Sequence, residues 1–161
     1  MIELNMEENN SLDVVYEEAR QRQAKEFSRI DALDTKTSII IAASLVLLQP
    51  VISVLNIAGF SVNGITIAYA SLFFLLLSLI CSMWAIFVRS YRMDPKIDYL
   101  AENYLSKTAN ETKRQLVENY RDSISKNNRI GNRKASLTKL AFIFLDCSLF
   151  VYLGVLFCRR G

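Results

Sequence analysis

Three stretches of this chain are almost free of charge: residues 37–57 and 64–88 contain no Asp, Glu, Lys or Arg, and residues 140–158 contain only Asp146. Lipid offers no partner to a bare N–H or C=O, so an apolar run longer than about 18 residues satisfies its backbone as a membrane-crossing helix. The three runs predict an all-α protein with three transmembrane helices, a hairpin (37–57 and 64–88) followed by a C-terminal span. Overall the chain is 52% apolar and 22% charged, and a soluble domain of that make-up would scatter its apolar residues. Segregation on this scale excludes a secreted disulfide scaffold, a disordered chain and an ordinary soluble enzyme.

The chemistry-bearing residues are sparse. Cys81, Cys147 and Cys158 all lie inside the apolar runs, and none has a second cysteine two to four residues away, so they form no disulfide or metal framework. There is no histidine, which removes the commonest general base and the commonest metal ligand together. No paired-carboxylate, Cys-His or Ser-His arrangement appears, and neither does a Gly-rich phosphate loop or Walker motif. We expect no catalytic residues, no metal and no cofactor: the protein is read as something other than an enzyme.

Lys and Arg set the expected orientation, because positive flanks are retained on the cytoplasmic side. Five precede the first run (Arg20, Arg22, Lys25, Arg29, Lys36), twelve lie between Arg89 and Lys139, and none occurs in the connection AGFSVNG. The first 36 residues are polar with no early apolar core, which argues against a cleavable signal peptide. The expected organisation is a cytosolic N-terminal helix (1–36), a transmembrane hairpin (37–88), a cytosolic helical region (89–139), and a third span with a short tail (140–161) ending outside. Arg159 and Arg160 oppose this, but the reverse orientation would misplace far more charge. The location is then the cell inner membrane, multi-pass, with a cytosolic N-terminus.

Asp146 is the costly residue of the third span, worth roughly 2.5 to 3.5 kcal/mol against insertion near a helix centre. Twelve Leu, Ile, Val and Phe residues between 140 and 157 return roughly 4 to 7 kcal/mol on the same scale. The span inserts, with Asp146 sheltered by protein or protonated.

Outside the spans, Asn10 and Ser11 suit a helix cap, and Leu12, Tyr16, Ala19, Gln23, Phe27, Ile30 and Leu33 or Asp34 form one stripe at helical spacing. With no Gly or Pro from Ser11 to Gln49, that helix can run unbroken into the first span. Asp94-Pro95 opens a second helix through Ile97, Leu100, Tyr104 and Leu105. Thr108 and Glu111 form a capping box ahead of Leu116, Tyr120, Ile124 and Asn127. Gly131 is the one weak point before the third span.

Polar residues in the spans form two stripes expected to face inward: Ser38, Ala42, Gln49, Ser53 and Asn56 on the first, and Ser71, Ser78, Ser82, Ala85 and Arg89 on the second. One reading is close helix packing with interhelical hydrogen bonds. The other is a polar membrane path lined by Gln49, Ser53, Asn56, Ser71, Ser78, Ser82 and Asp146, since an ionisable residue within a membrane helix is a functional candidate. Three helices cannot enclose a water-filled pore, so such a path requires a homo-oligomer. Pro50 can bend the first span as a hinge, or stand static with its freed carbonyl met by a neighbour.

Arg89, Arg92, Lys126, Arg129, Arg133, Lys134 and Lys139 form a basic collar at the cytosolic face. It serves as orientation signal and attraction to anionic lipid, or as a docking surface for a nucleotide second messenger. Trp84, Tyr91 and Tyr152 suit interfacial anchoring. No direct nucleic-acid contact is expected.

Two stretches, RIDALDTKTSIIIAASLVLL and YRDSISKNNRIGNRKASLTKLAFIFLDCSLFVYLGVL, resemble the Pycsar effector transmembrane family and the related SLATT-type membrane effectors of prokaryotic anti-phage defence. Asp34, Lys36, Asn127, Lys134 and Ala135 are the positions that carry the resemblance. It implies a small effector, encoded beside enzymes that make or sense cyclic nucleotides, that damages or depolarises the inner membrane on infection. The compact 89–139 stretch shows no separate ligand-binding domain, so activation through an operon-encoded sensor or nucleotide cyclase partner is as open as direct sensing. The rival reading is a passive membrane scaffold whose cytosolic helices recruit a soluble defence enzyme.

Overall fold

The computed structural model of the chain describes residues 2–55, 62–88 and 107–158. Among them are three α-helices and no strand: α1 (Ile2–Leu55), α2 (Val62–Phe87) and α3 (Ala109–Cys158). All three are long and apolar enough to cross a membrane. The expected helix around 95–105, the connection AGFSVNG apart from its last three residues, Asn56, Arg89, Tyr91, Arg92, Arg159 and Arg160 lie outside the described residues.

α1 begins at Ile2, so Asn10 and Ser11 are helical residues and not its cap. The segment before them is rich in Glu, Met and Leu, which lose little side-chain freedom in a helix. The helix continues through Pro50 without a break. α3 starts where its capping box predicts: the Thr108 carbonyl accepts from Thr112 N–H at 3.0 Å. Glu111 N–H donates to Thr108 Oγ1 at 3.4 Å, and Glu111 Oε2 accepts from the Thr108 hydroxyl at 2.9 Å and its N–H at 3.2 Å.

Those bonds from the Thr108 hydroxyl, then from its backbone, hold the Glu111 carboxyl below its ordinary value of 4.5. A carboxyl depressed in the folded state contributes fully above its unfolded value and loses that contribution as pH falls through the folded one. Amide protection factors in the first turn of α3 should therefore drop once the pH falls below 4.5, and Glu111→Gln should flatten that dependence.

The chain divides into two compact units, Met1–Asp31 with Ser90–Asn132, and Ala32–Arg89 with Arg133–Gly161. In the first, α1 and α3 run parallel: Asp13 pairs with Lys113, and Arg29 donates to Asn128 Oδ1 at 3.2 Å and Asn132 Oδ1 at 2.7 Å. The Tyr16 and Tyr120 rings lie 6.0 Å apart. Burial, then the hydrogen bond with Tyr16, raises the Tyr120 phenol above 10.0, keeping it neutral at physiological pH. Gln23, Ile30, Tyr120, Ser123, Asn127 and Gly131 are buried along this pair, and the polar ones all have partners.

Gly131 does not interrupt α3. A methyl group added there would meet Ile30 Cγ1 at 3.9 Å, ordinary contact, while Gly costs about 0.8 to 1 kcal/mol relative to Ala inside a helix. Gly131→Ala should raise stability by roughly 0.5 to 1 kcal/mol, measured by denaturant unfolding of the detergent-solubilised protein.

The second unit is built inside out by the standards of a water-soluble bundle. Its buried residues include Thr37, Ser44, Ser71, Ser78, Ser82, Thr138 and Ser148, while Val46, Phe73, Trp84, Phe87 and Phe150 are more than half exposed. Each large apolar side chain left in water forfeits roughly 1.5 to 3 kcal/mol, so this surface is made for lipid. Apolar packing includes a small cluster of Val54, Ala68 and Val155, with Ile40, Val51, Leu75, Ala85 and Ala141 also buried and Phe74 stacked on Phe144 at 6.4 Å.

Candidate functional site

Many of the residues that join the helices of the second unit are small, hydroxylated or charged. On α1 the buried positions Gln23, Ile30, Thr37, Ser44 and Val51 recur every seven residues; on α3 so do Tyr120, Asn127, Lys134, Ala141, Ser148 and Val155. On α2 two such series interleave, Ala68, Leu75 and Ser82 with Ser71, Ser78 and Ala85. A seven-residue period keeps one seam of each helix against its neighbours. Small residues on that seam let backbones approach closely enough for hydroxyls to bridge them.

At the end of the unit where the uncharged runs of α1 and α3 begin, Lys134 pairs with Asp34. The Lys134 side chain is fully buried, whereas that of Asp34 keeps 38% of its surface. One turn further along, the Thr37 and Thr138 hydroxyls meet at 2.9 Å. Each also donates to its own helix, Thr37 to the Leu33 carbonyl at 2.7 Å and Thr138 to the Lys134 carbonyl at 2.9 Å. These contacts hold α1 and α3 parallel.

Deeper in the unit α2 runs antiparallel to both. Ser44 and Ser78 hydroxyls are 3.4 Å apart, and Ser78 donates to the Ala141 carbonyl at 2.8 Å. Ser71 and Ser148 bond reciprocally, each hydroxyl reaching the other's backbone carbonyl at 2.9 Å. Ser82 is fully buried and its hydroxyl has no hydrogen-bond partner among the described residues.

The predicted path residues separate. Ser71, Ser78 and Ser82 are buried between helices, whereas Gln49 and Ser53 are exposed, as are Ser38 and Ala42 of the same stripe. The α1 stripe therefore faces away from the chain's own helices, and the inward expectation is corrected: the seam on α1 runs through Thr37, Ser44 and Val51. Ser53 donates to the Gln49 carbonyl at 2.9 Å. Asp146 is half-buried, with no ion pair or hydrogen bond among the described residues.

Of the collar, Lys126, Arg129, Arg133 and Lys139 are exposed. Lys134 is not a solvated collar residue: its place on the seven-residue seam buries it against Asp34. Among the family-like positions, Asp34 and Lys134 form that ion pair, Lys36 and Ala135 line one groove of the second unit, and Asn127 is buried in the first. Thr37, Ser44, Thr138 and Ser148 were not singled out from the sequence, although steps of seven from Ile30 and of three and four from Asn127 reach all of them. Among the described residues no three His, Cys, Asp or Glu side chains gather as metal ligands.

Among the described residues the arrangement offers no nucleophile poised beside a base. It offers a hydrogen-bonded helix hairpin and third span, joined by an ion pair at one end and carrying a separate polar face. Comparison with curated proteins and with solved structures gives no match. Residues 18–159 match the family model of the Pycsar effector protein domain. With that match over most of its length and three membrane-capable helices, the chain belongs to the Pycsar effector family, a multi-pass membrane effector of anti-phage defence in a cyclic-nucleotide signalling setting.

Proposed function

We propose that the protein assembles as a homo-oligomer in the inner membrane and disrupts membrane integrity or potential once a nucleotide signal or an operon-encoded partner engages its cytosolic helices. Asp146 carries the reading. It is half-buried in a span, and no side chain of its own chain answers its charge among the described residues. A lipid-facing carboxylate of this kind is expensive, whereas a second copy can shelter it. Gln49 and Ser53, exposed on α1, give the membrane-spanning unit another polar face for neighbouring copies, and Pro50 beside them is the place where α1 can bend. The basic flanks put the N-terminus in the cytosol and the C-terminus outside.

The test is induction of the protein with its neighbouring operon genes, followed with a potential-sensitive dye. Depolarisation on activation is the expected result; a steady potential under every activating condition would overturn the proposal.

A scaffold role has one observation in its favour, a groove of about 440 Å³ in the first unit walled by Val14, Val15, Val117 and Ile124. Val14 and Val15 are 69% and 50% exposed, as a surface for a soluble partner would be. That reading predicts loss of recruitment when Val14 and Val15 become Glu, with the membrane potential untouched throughout.

A further inference from the structure

A second groove, of about 370 Å³, lies in the membrane-spanning unit. Its walls are Leu33, Ile39 and Ile40 of α1 with Ala135 and Phe142 of α3. Lys36 and Lys139 stand at its edge, each the last charge before its helix enters an uncharged stretch, apart from Asp146 on α3. The volume falls within the range of small-molecule sites.

The two lysines are exposed, and neither has an ion pair or hydrogen bond among the described residues. Their own helices cannot neutralise them. Positions 32, 33, 39 and 40 around Lys36, and 135, 136, 142 and 143 around Lys139, hold no acidic residue, so the one-turn pairing open to surface lysines is missing. Asp34 is committed to Lys134. The Thr138 hydroxyl, also at the groove, is committed to Thr37 and the Lys134 carbonyl.

Two unanswered positive charges therefore rim an apolar trough whose walls include Ile39, 62% exposed, and Phe142, 53% exposed. We propose that the groove binds one anionic glycerophospholipid, its phosphate between the Lys36 and Lys139 ammonium groups and an acyl segment against Ile39, Ile40 and Phe142. Charge complementarity selects an anion. The apolar walls, lying on helices that cross lipid, select one that carries a hydrocarbon chain over a soluble phosphate. Lysine stems are suited to this, since their methylenes lie along apolar surface while the ammonium reaches headgroup level. The proposal stands apart from pore formation, because a lipid can seat on one chain.

The protein is reconstituted in nanodiscs of equal phosphatidylglycerol and phosphatidylcholine, and the retained lipid is identified by native mass spectrometry. Two lysines against one anionic headgroup give an expected preference for phosphatidylglycerol of roughly thirty-fold. K36Q/K139Q should reduce it to within about two-fold, and K36R/K139R should keep it. K126Q/R129Q, which removes equal charge outside the groove, should also keep it. Ala135→Leu fills the groove while sparing both lysines and should lower retention at least ten-fold; it also protects the test against misfolding of the charge variant. Equal retention of the two lipids by the wild type, an unchanged preference in K36Q/K139Q, unchanged retention in A135L, or displacement of the lipid by millimolar inorganic phosphate would each overturn the proposal.

Discussion

Asp34→Asn should destabilise the second unit by about 3 kcal/mol, the low end of the range for removing one partner of a buried ion pair, whereas Lys134→Met should cost only about 1 to 2 kcal/mol. The asymmetry follows from burial. Removing Asp34 takes a carboxylate from a Lys134 ammonium that is fully buried between helices; removing Lys134 leaves an Asp34 carboxylate, 38% exposed, that can turn to water or headgroups. The double variant Asp34→Leu with Lys134→Met should return to within roughly 1 kcal/mol of the wild type, because an apolar pair of similar volume avoids the desolvation of both charges. Denaturant titration of the detergent-solubilised protein, run as a double-mutant cycle, measures all three. Equal costs for the two single variants would mean that the pair is not held with its lysine end dry.

Asp146→Leu should improve insertion of the third span and abolish depolarisation. Removing the carboxylate recovers roughly 2.5 to 3.5 kcal/mol at the helix centre and the new leucine adds about 0.5, so more protein should reach the membrane as each copy does less. Asp146→Asn keeps the size and a hydrogen-bonding group without the charge, and should retain partial assembly through interhelical bonds of about 0.6 kcal/mol each. Crosslinking in membranes reports the oligomer and a potential-sensitive dye reports function. Full depolarisation by Asp146→Leu would remove the carboxylate from the mechanism.

Much of the architecture was legible before any coordinates because lipid imposes one strong rule on the backbone. Uncharged runs of this length have no alternative to helix, and continuity of α1 from the charged arm into the first span follows from the absence of Gly and Pro before Pro50. Capping chemistry is equally local, so Thr108 and Glu111 could be assigned from a four-residue window. The family resemblance was carried by positions in two segments that the fold brings together: Asp34 and Lys134 are a hundred residues apart and in contact.

Which face of each helix turns inward was less accessible. Hydropathy separates core from surface in water, but in a membrane lipid tails are as apolar as a leucine core, so the contrast that marks an inner face is gone. Ser53 and Ser44 are the same residue on the same span; the first is exposed and the second buried against Ser78. Lys134 looks like any collar lysine until its seven-residue spacing from Asn127 and Ala141 is seen to place it on the seam. The sequence by itself determined three helices able to cross lipid, because charge and hydrogen-bond satisfaction are properties of single segments. Only the tertiary structure decided which hydroxyls bridge helices, which lysine is buried and which two remain free at a groove, because close backbone approach and a shared counter-charge are properties of pairs.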